Sequence, residues 1–387
     1  MAHNRLHDER LPRGVSKVRR NSGVAYEARY TDPNGRQKQR TFRTKTEARQ
    51  FIEGTRTKVR EGTYVDPKPA RTLLGDVAAS YFAARQTALR PTTMAMNRSL
   101  YSTHVAPAFA NRHLSTIHLD DVQRFANELA ATHAPGTVHA CVNLLKRILG
   151  HAVDRGLLLA NPADRAVLPS RDSAERRYLT PQQVSALCDA VPGRYRALVL
   201  MAAYTGMRWG ELAGLKTTRL NLLRRQVQVS EILVEVNGHF SFGPPKTKES
   251  RRTITLPSFL VDELAEHLAS FPPNVHVEGE TLVFTGPNGA PLRRSNFARR
   301  VWRPALRKAG LEHVSFHALR HSAAAFMIGS GADAKKIQRR LGHATIRMTY
   351  DLYGHLLPEA DEEVAAGLED LWRAAVPAPA ATVVELR

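Results

Sequence analysis

The chain has 387 residues, 43% hydrophobic and 24% charged, a globular composition long enough for two or three domains. Its 56 Lys and Arg face only 36 Asp and Glu, and the resulting +20 favours a polyanionic partner through phosphate neutralisation and counterion release. Two cysteines argue against a disulfide framework or a Cys-based metal site, and a polar N-terminus with no 18-residue apolar run argues against a secretory leader or a membrane span. The expected setting is therefore a reducing cytoplasm, on the nucleoid of a bacterial host.

Residues 1–12 read as polar and unstructured. Val24, Tyr26, Ala28 and Tyr30 alternate with polar residues, which predicts a strand with one buried face. The "DPNG" of residues 32–35 supplies the fixed and positive φ of a reversal, and "QKQRTF" returns as a second strand. Thr44 and Glu47 have capping-box spacing. Ala48, Phe51, Ile52 and Val59 share one face of the helix that follows, which Gly62 ends. The first 70 residues hold 17 Lys or Arg against 8 Asp or Glu, a density that points to DNA contact more than to solubility alone.

"VDPKPA" (65–70) is a stiff linker by composition. Beyond it the spacing is helical, through Leu73, Leu74, Val77, Ala78, Tyr81 and Phe82, then Val122, Phe125 and Leu129, then Val138, Cys141, Val142, Leu145, Ile148, Leu149 and Ala152. Several short helices packed together are expected. Cys141 and Cys188 lie among apolar helical residues and read as buried free thiols. Gly156 and Asn161-Pro162 close the bundle, and "AVLPSRDSAERR" reads as an exposed basic linker.

Thr180, Pro181 and Gln183 open the third region as N-cap, first-turn proline and capping-box partner. Helices over 181–190 and 194–204 lead into "TGMRWGEL". Strands are predicted in "QVQVSEILVEV", "RRTITL" and "TLVF", and helices return from about residue 297. The Pro- and Ala-rich tail from 376 to 387 is not expected to start as a helix.

Arg208 follows a glycine between two apolar helical stretches, and Glu211, three positions on, is placed to hold its guanidinium. His317 and Arg320 share one helical face, with His321 four positions after His317. HxxxH can bind zinc, but Ala318 and Leu319 stand where a metalloprotease needs its glutamate. Imidazole beside guanidinium suits phosphate better, the fork gripping two oxygens while the ring moves a proton. His343 follows a glycine that turns the chain after a helix. Tyr353 lies in a polar helical stretch with Tyr350 three residues earlier, and its phenol attacks phosphorus only where cations and a base favour loss of its proton. Lys246 and Lys248, in a basic turn entering a strand, are the two candidates for an acid at the leaving oxygen.

"TGMRWGEL", "PPKTKESRRTITL", "HALRHSAAAFMIGSGADAKKIQRRLGH" and "TYDLYGHLLPE" together resemble the motif boxes of the tyrosine recombinases, in the group of phage and integrative-element integrases with the three-domain plan of phage lambda integrase. The resemblance implies a multidomain fold: a small α+β N-terminal arm-binding domain (1–70), an all-α core-binding domain (71–165), and a mainly α catalytic domain with a small antiparallel β-sheet (175–375), then a tail (376–387). It implies a site-specific DNA recombinase that cleaves and rejoins DNA through a 3′-phosphotyrosyl bond to Tyr353. Arg208 and Arg320 would clamp the phosphate, His317 would transfer a proton, His343 would bond phosphoryl oxygens, and Lys246, preferred over Lys248, would serve as the hairpin lysine. Tyr350 falls where relatives have an apolar residue and reads as a packing or decoy tyrosine, while Ala318 replaces a common acidic neighbour. No cofactor or metal is implied, because two arginines can stabilise the phosphoryl charge, and no P-loop occurs. The implied partners are double-stranded DNA at attachment sites, three further copies in a tetramer on DNA, a DNA-bending host factor and an excision factor, with no membrane. The rivals are a type IB topoisomerase or telomere resolvase, and a DNA-binding protein that does not cleave.

Overall fold

A computed structural model describes residues 5–6, 11–20, 23–32, 35, 37–61, 72–170, 177–245, 247–273, 276–354, 368–369 and 371. The chain divides into two units, Met1–Asp172 and Ser173–Arg387.

The first unit opens with an antiparallel sheet in the order β1-β2-β3-β4, formed by β1 (Arg5–Leu6), β2 (Val15–Arg20), β3 (Gly23–Thr31) and β4 (Gln37–Phe42). Two of these strands go beyond the sequence pattern. β1 lies in the stretch read as unstructured, and the buried Val15 and Val18 of β2 are three apart, which hides the period of two. Ala28 is fully buried with Val15, Ala48 and Ile52, whereas Val24, expected to point inward, is 47% exposed near the strand's start. The Gly35 amide donates to Asp32 O at 3.0 Å with φ +78°, closing the expected reversal; Pro33 and Asn34 lie outside the described residues. Helix α1 (Lys45–Arg60) begins with the Thr44–Glu47 capping box and ends at Glu61, and Gly62 and the 65–70 linker are outside the described residues.

Residues 74–154 form α2 (Leu74–Ala84), α3 (Pro91–Leu100), α4 (Ala106–Phe109), α5 (Leu119–Thr132) and α6 (Pro135–Asp154), with a π-helical turn, Tyr101–Val105, joining α3 to α4. The apolar faces meet in one core in which Tyr81, Leu145, Ile148 and Cys141 are fully or almost fully buried, Cys141 as a free thiol. The stretch read as an exposed linker partly joins this core: Ala166 and Leu168 pack on it while Val167 stays exposed, because alternate residues of an extended segment face opposite ways.

The second unit is mainly helical. Helix α7 (Pro181–Ala190) starts where its cap predicts, with Thr180 and Gln183 bonding reciprocally, and α8 (Arg196–Thr205) follows without a side-chain cap. α8 is apolar on nearly every side and is wrapped by α7, α10 (Ser258–Ser270) and α13 (Ala318–Gly329). Between α9 (Trp209–Ala213) and α10 lie β5 (Leu220–Asn221), β6 (Gln226–Val229), β7 (Ile232–Val236), β8 (His239–Gly243) and β9 (Arg252–Thr255). The run read as one strand breaks after Val229: β6 sits between β5 and β9, while β7 pairs with β8 as a separate hairpin. At the break Glu231 turns to the buried Lys216, which also reaches Glu280 at 3.4 Å. "TLVF" is likewise mostly not strand: β10 (His276–Val277) pairs with β11 (Glu280–Thr281), and Val283 and Phe284 enter the core. Helix α10, which the strand reading did not anticipate, follows Pro257 directly. The remaining helices are α11 (Arg294–Phe297), α12 (Arg303–Lys308), α14 (Ala334–Leu341) and α15 (Ile346–Tyr353). The tail from 376 lies outside the described residues.

Candidate active site

Arg208 is the N-cap of α9, three residues beyond Thr205, the last residue of α8, whose C-cap Gly206 adopts φ +67°. A Cβ there would run into the Leu341 side chain, so this turn needs a glycine on two counts. Glu211 holds Arg208 as the spacing predicts: Oε1 accepts from Nη1 at 2.9 Å and Oε2 from the Arg208 amide at 3.0 Å. Glu211 is 2% exposed and also binds Arg252 Nη2 at 2.9 Å. Burial by itself raises the Glu211 carboxyl, but the charge and hydrogen bond of Arg252, then Arg208, outweigh it and leave its pKa below the ordinary value.

Three arginines converge on the C-terminus of α14. Arg252 Nε donates to Arg340 O at 2.7 Å, Arg320 Nη2 to Leu341 O at 2.8 Å, and Arg208 Nη2 to Gly342 O at 3.3 Å. Terminal carbonyls lack partners within their own helix and carry the negative end of its dipole, so they suit guanidinium donors. Arg320 is 4% exposed, and its Nη1 donates to Gly206 O. Burial first, then the charge of Arg208, lowers its pKa to about 9, which leaves it cationic at neutral pH. Gly342 (φ +68°) passes so close to Glu249 O and Ser250 Cα, both 3.0 Å from an added Cβ, that the turn admits no side chain without movement.

That turn presents His343, 3% exposed, whose Nδ1 lies 2.9 Å from Thr349 Oγ1 and whose ring stacks on Tyr353 with centroids 6.2 Å apart. Burial, followed by Arg320 and Arg208, pushes its pKa down to about 3, so the ring is neutral at pH 7. His317 caps α13 and, with Arg208, Arg294 and Arg320, lines a cavity of about 400 Å³, where its ring keeps access to solvent. Partial desolvation, then the charges of His321, Arg320, Arg208 and Arg294, lowers it to about 4.

Tyr353, at the end of α15, is 1% exposed against Ala323, Ala324, Ile337 and Leu341, and its hydroxyl lies 2.9 Å from His321 Nδ1. Tyr350 is 53% exposed, so of the two readings, packing or decoy, it does not pack: Thr349 and Tyr353, four apart, form the buried face, and Tyr350 lies off it. Arg208, His317, Arg320, His343 and Tyr353 thus come together. Lys246 lies outside the described residues, and Lys248 is exposed at the start of a 3₁₀ turn, Lys248–Ser250. Sequence reasoning missed Arg252, Arg294 and Thr349 as parts of the site. It noticed His321 only as half of a metal-type pair, although the i, i+4 spacing already put it beside His317.

The second unit is mainly helical with small antiparallel sheets and brings two arginines, two histidines and a tyrosine into one cluster, an arrangement suited to phosphoryl transfer through a protein nucleophile. Residues 177–360 match the phage integrase family, and residues 74–167 match the phage integrase central domain. A tyrosine recombinase described as XerC-like, from Caldanaerobacter subterraneus subsp. tengcongensis, is 28% identical over 370 residues, covering 88% of this chain and 94% of that protein. The integrase of Mycobacterium phage D29 is 27% identical over 289 residues, covering 71% and 74%. In fold the chain is similar to the Tn1549 transposon integrase in complex with a circular intermediate DNA, with a TM-score of 0.65 and 19% identity over 77% of this chain and 99% of that one. The chain belongs to the tyrosine recombinases of the phage integrase family.

Proposed function

We infer that the protein is a site-specific DNA recombinase of integrase type, with Tyr353 as its nucleophile, which integrates or excises a mobile element such as a prophage. The observation that carries this reading is the cluster itself: Arg320 and Arg208 hang from the adjacent carbonyls Leu341 O and Gly342 O respectively, and the ring of the next residue, His343, stacks on Tyr353.

The guanidiniums of Arg208 and Arg320 bind the nonbridging oxygens of the scissile phosphate and stabilise the charge that grows on them during in-line attack. With the Thr349 hydroxyl donating to Nδ1, neutral His343 carries its proton on Nε2 and donates it to a phosphoryl oxygen. His317 exchanges a proton at the phosphate. Lys246, or Lys248 two positions on, protonates the departing 5′ oxygen. The 3′-phosphotyrosyl bond keeps the energy of the cleaved linkage, so a second 5′ hydroxyl reseals the strand.

Double-stranded attachment-site DNA is the partner, which the +20 charge favours. The strand-and-helix segment of 1–70 grips arm sites, residues 71–165 bind the core site, and 175–375 carry out the chemistry. Exchange between two duplexes breaks four strands, which calls for four copies, and the acceptance of a bending protein and an excision factor belongs to the same reading.

The test is to incubate wild type, Tyr353→Phe and Tyr350→Phe with nicked attachment-site DNA of the encoding element, denature, and look for protein joined to a 3′ phosphate. The adduct should form with wild type and Tyr350→Phe and be lost in Tyr353→Phe. An adduct that survives Tyr353→Phe refutes the assignment, and no adduct from any form supports a protein that binds DNA without cutting it.

A further inference from the structure

A hydroxyl attached to an aromatic ring has a pKa near 10, so a tyrosine that attacks phosphorus at neutral pH needs a group to receive its proton. His321 Nδ1 stands 2.9 Å from the Tyr353 hydroxyl, with the ring centroids 5.8 Å apart, a distance at which a proton passes along one hydrogen bond. His321 sits on α13, one turn after His317, and the two rings meet edge to face at 5.1 Å. The helix that holds it is anchored on the core by the buried Leu319, Ser322 and Ala323, so the imidazole is carried on a rigid element.

We propose that His321 is the base that takes the Tyr353 proton in strand cleavage and the acid that returns it in strand joining. The proposal rests on the reading of Tyr353 as nucleophile. In cleavage the Tyr353 O–H bond breaks and its proton moves to the lone pair of His321 Nδ1. The phenolate oxygen forms the new bond to phosphorus, and the P–O5′ bond breaks with its electron pair on the 5′ oxygen, which collects a proton from a separate acid. In joining, the separate acid, now deprotonated, takes the proton of the incoming 5′ hydroxyl as its oxygen bonds to phosphorus; the P–O(Tyr353) bond breaks with its electron pair on the tyrosine oxygen, and His321 Nδ1 gives that oxygen its proton. His321 has the further effect of holding the phenol on the α13 side of the cluster, and its titratable neighbours include His317 on its own helix and Tyr353 and His343 on the elements packed against it.

The experiment measures single-turnover adduct formation on two nicked attachment-site duplexes, one with an ordinary scissile phosphodiester and one with a 5′-bridging sulfur, whose thiolate leaves without an acid. His321→Ala should be slower than wild type by roughly 10²- to 10⁴-fold on both substrates. His321→Asn, which can still hydrogen-bond the phenol but cannot take its proton, should remain slow, and added imidazole should recover part of the rate in His321→Ala. DNA binding by mobility shift checks folding, and His321→Gln replaces the Ala variant if that one does not bind. Wild-type rates in His321→Asn, or a defect confined to the phosphodiester, would overturn the proposal, the second by putting His321 on the leaving-group side. A failure of the Tyr353 reading is seen separately, as an adduct that persists in Tyr353→Phe.

Discussion

Replacing Glu211 by Gln removes one charge from the interior and changes almost nothing else in shape. The carboxylate is 1% exposed in its side chain and Arg252 6%, so their 2.9 Å bond is a buried ion pair, while the Arg208 side chain is 31% exposed and its share is screened. Breaking a buried pair by removing one partner costs about 3–5 kcal/mol, and the Arg208 contact adds about 0–1 kcal/mol. A glutamine amide can accept from one arginine, but its NH₂ then faces the other donor, so the loss should fall in the upper part of that range. All three tryptophans, Trp209, Trp302 and Trp372, belong to the second unit, so tryptophan fluorescence in a urea titration reads its unfolding alone. The sign with pH follows from the lowered Glu211 pKa: the stabilisation is complete above the unfolded carboxyl value, about 4.3, and is lost as pH falls through the folded one. The gap between wild type and Glu211→Gln should therefore hold from pH 7 to about 4.5 and close below. A difference under about 1 kcal/mol at pH 7, or one that does not narrow in acid, refutes the reasoning.

Two further outcomes follow from the same geometry. Gly206→Ala puts a Cβ into the Leu341 side chain at φ +67° and disturbs the carbonyl that holds Arg320, so it should cost about 1–3 kcal/mol in the urea titration and slow adduct formation more than it weakens DNA binding; equal losses in both would count against it. His343 stays neutral in the fold down to about pH 3, whereas the unfolded chain takes up that proton below about 6.5, so wild-type stability should decline as pH falls from 6.5 towards 3 and decline less in His343→Gln. Parallel pH–stability curves for the two proteins would refute that origin.

Residues that act through side-chain type and short spacing were legible in the sequence. Glu211 three positions after Arg208, Thr180 with Gln183, and the glycine before His343 each fulfil a local rule, and the structure finds each one doing so. What was not legible depends on backbone atoms or on distant chain. The three carbonyls at 340–342 that hold Arg252, Arg320 and Arg208 leave no mark in side-chain identity, because any residues there would supply the same oxygens. The break between β6 and β7 turns on Glu231 meeting Lys216 and, through it, Glu280, contacts that no period of two encodes. Which of Tyr350 and Tyr353 faces inward was also not legible, since both are aromatic and three apart on one helix; burial of Tyr353 and exposure of Tyr350 decide it.

The charge balance of the cluster explains why its parts are arranged this way. Arg208, Arg252 and Arg320 bring three positive charges to one buried carboxylate, Glu211, and Arg252 lies fully against it. Arg208 shares the same carboxylate from a more exposed position, Arg320 leans on carbonyl dipoles, and burial together with these cations keeps His343 and His317 from taking up protons that would add to the excess. On the proposed reading of Arg208 and Arg320 as the phosphate clamp and Tyr353 as the nucleophile, a bound phosphodiester supplies one negative charge and the five-coordinate phosphorus of the transition state a second, so the excess would be matched only as the bond to tyrosine forms. The donors are already fixed by backbone carbonyls, and little reorganisation is required at that moment, which is the condition under which electrostatic stabilisation favours the transition state over the bound substrate.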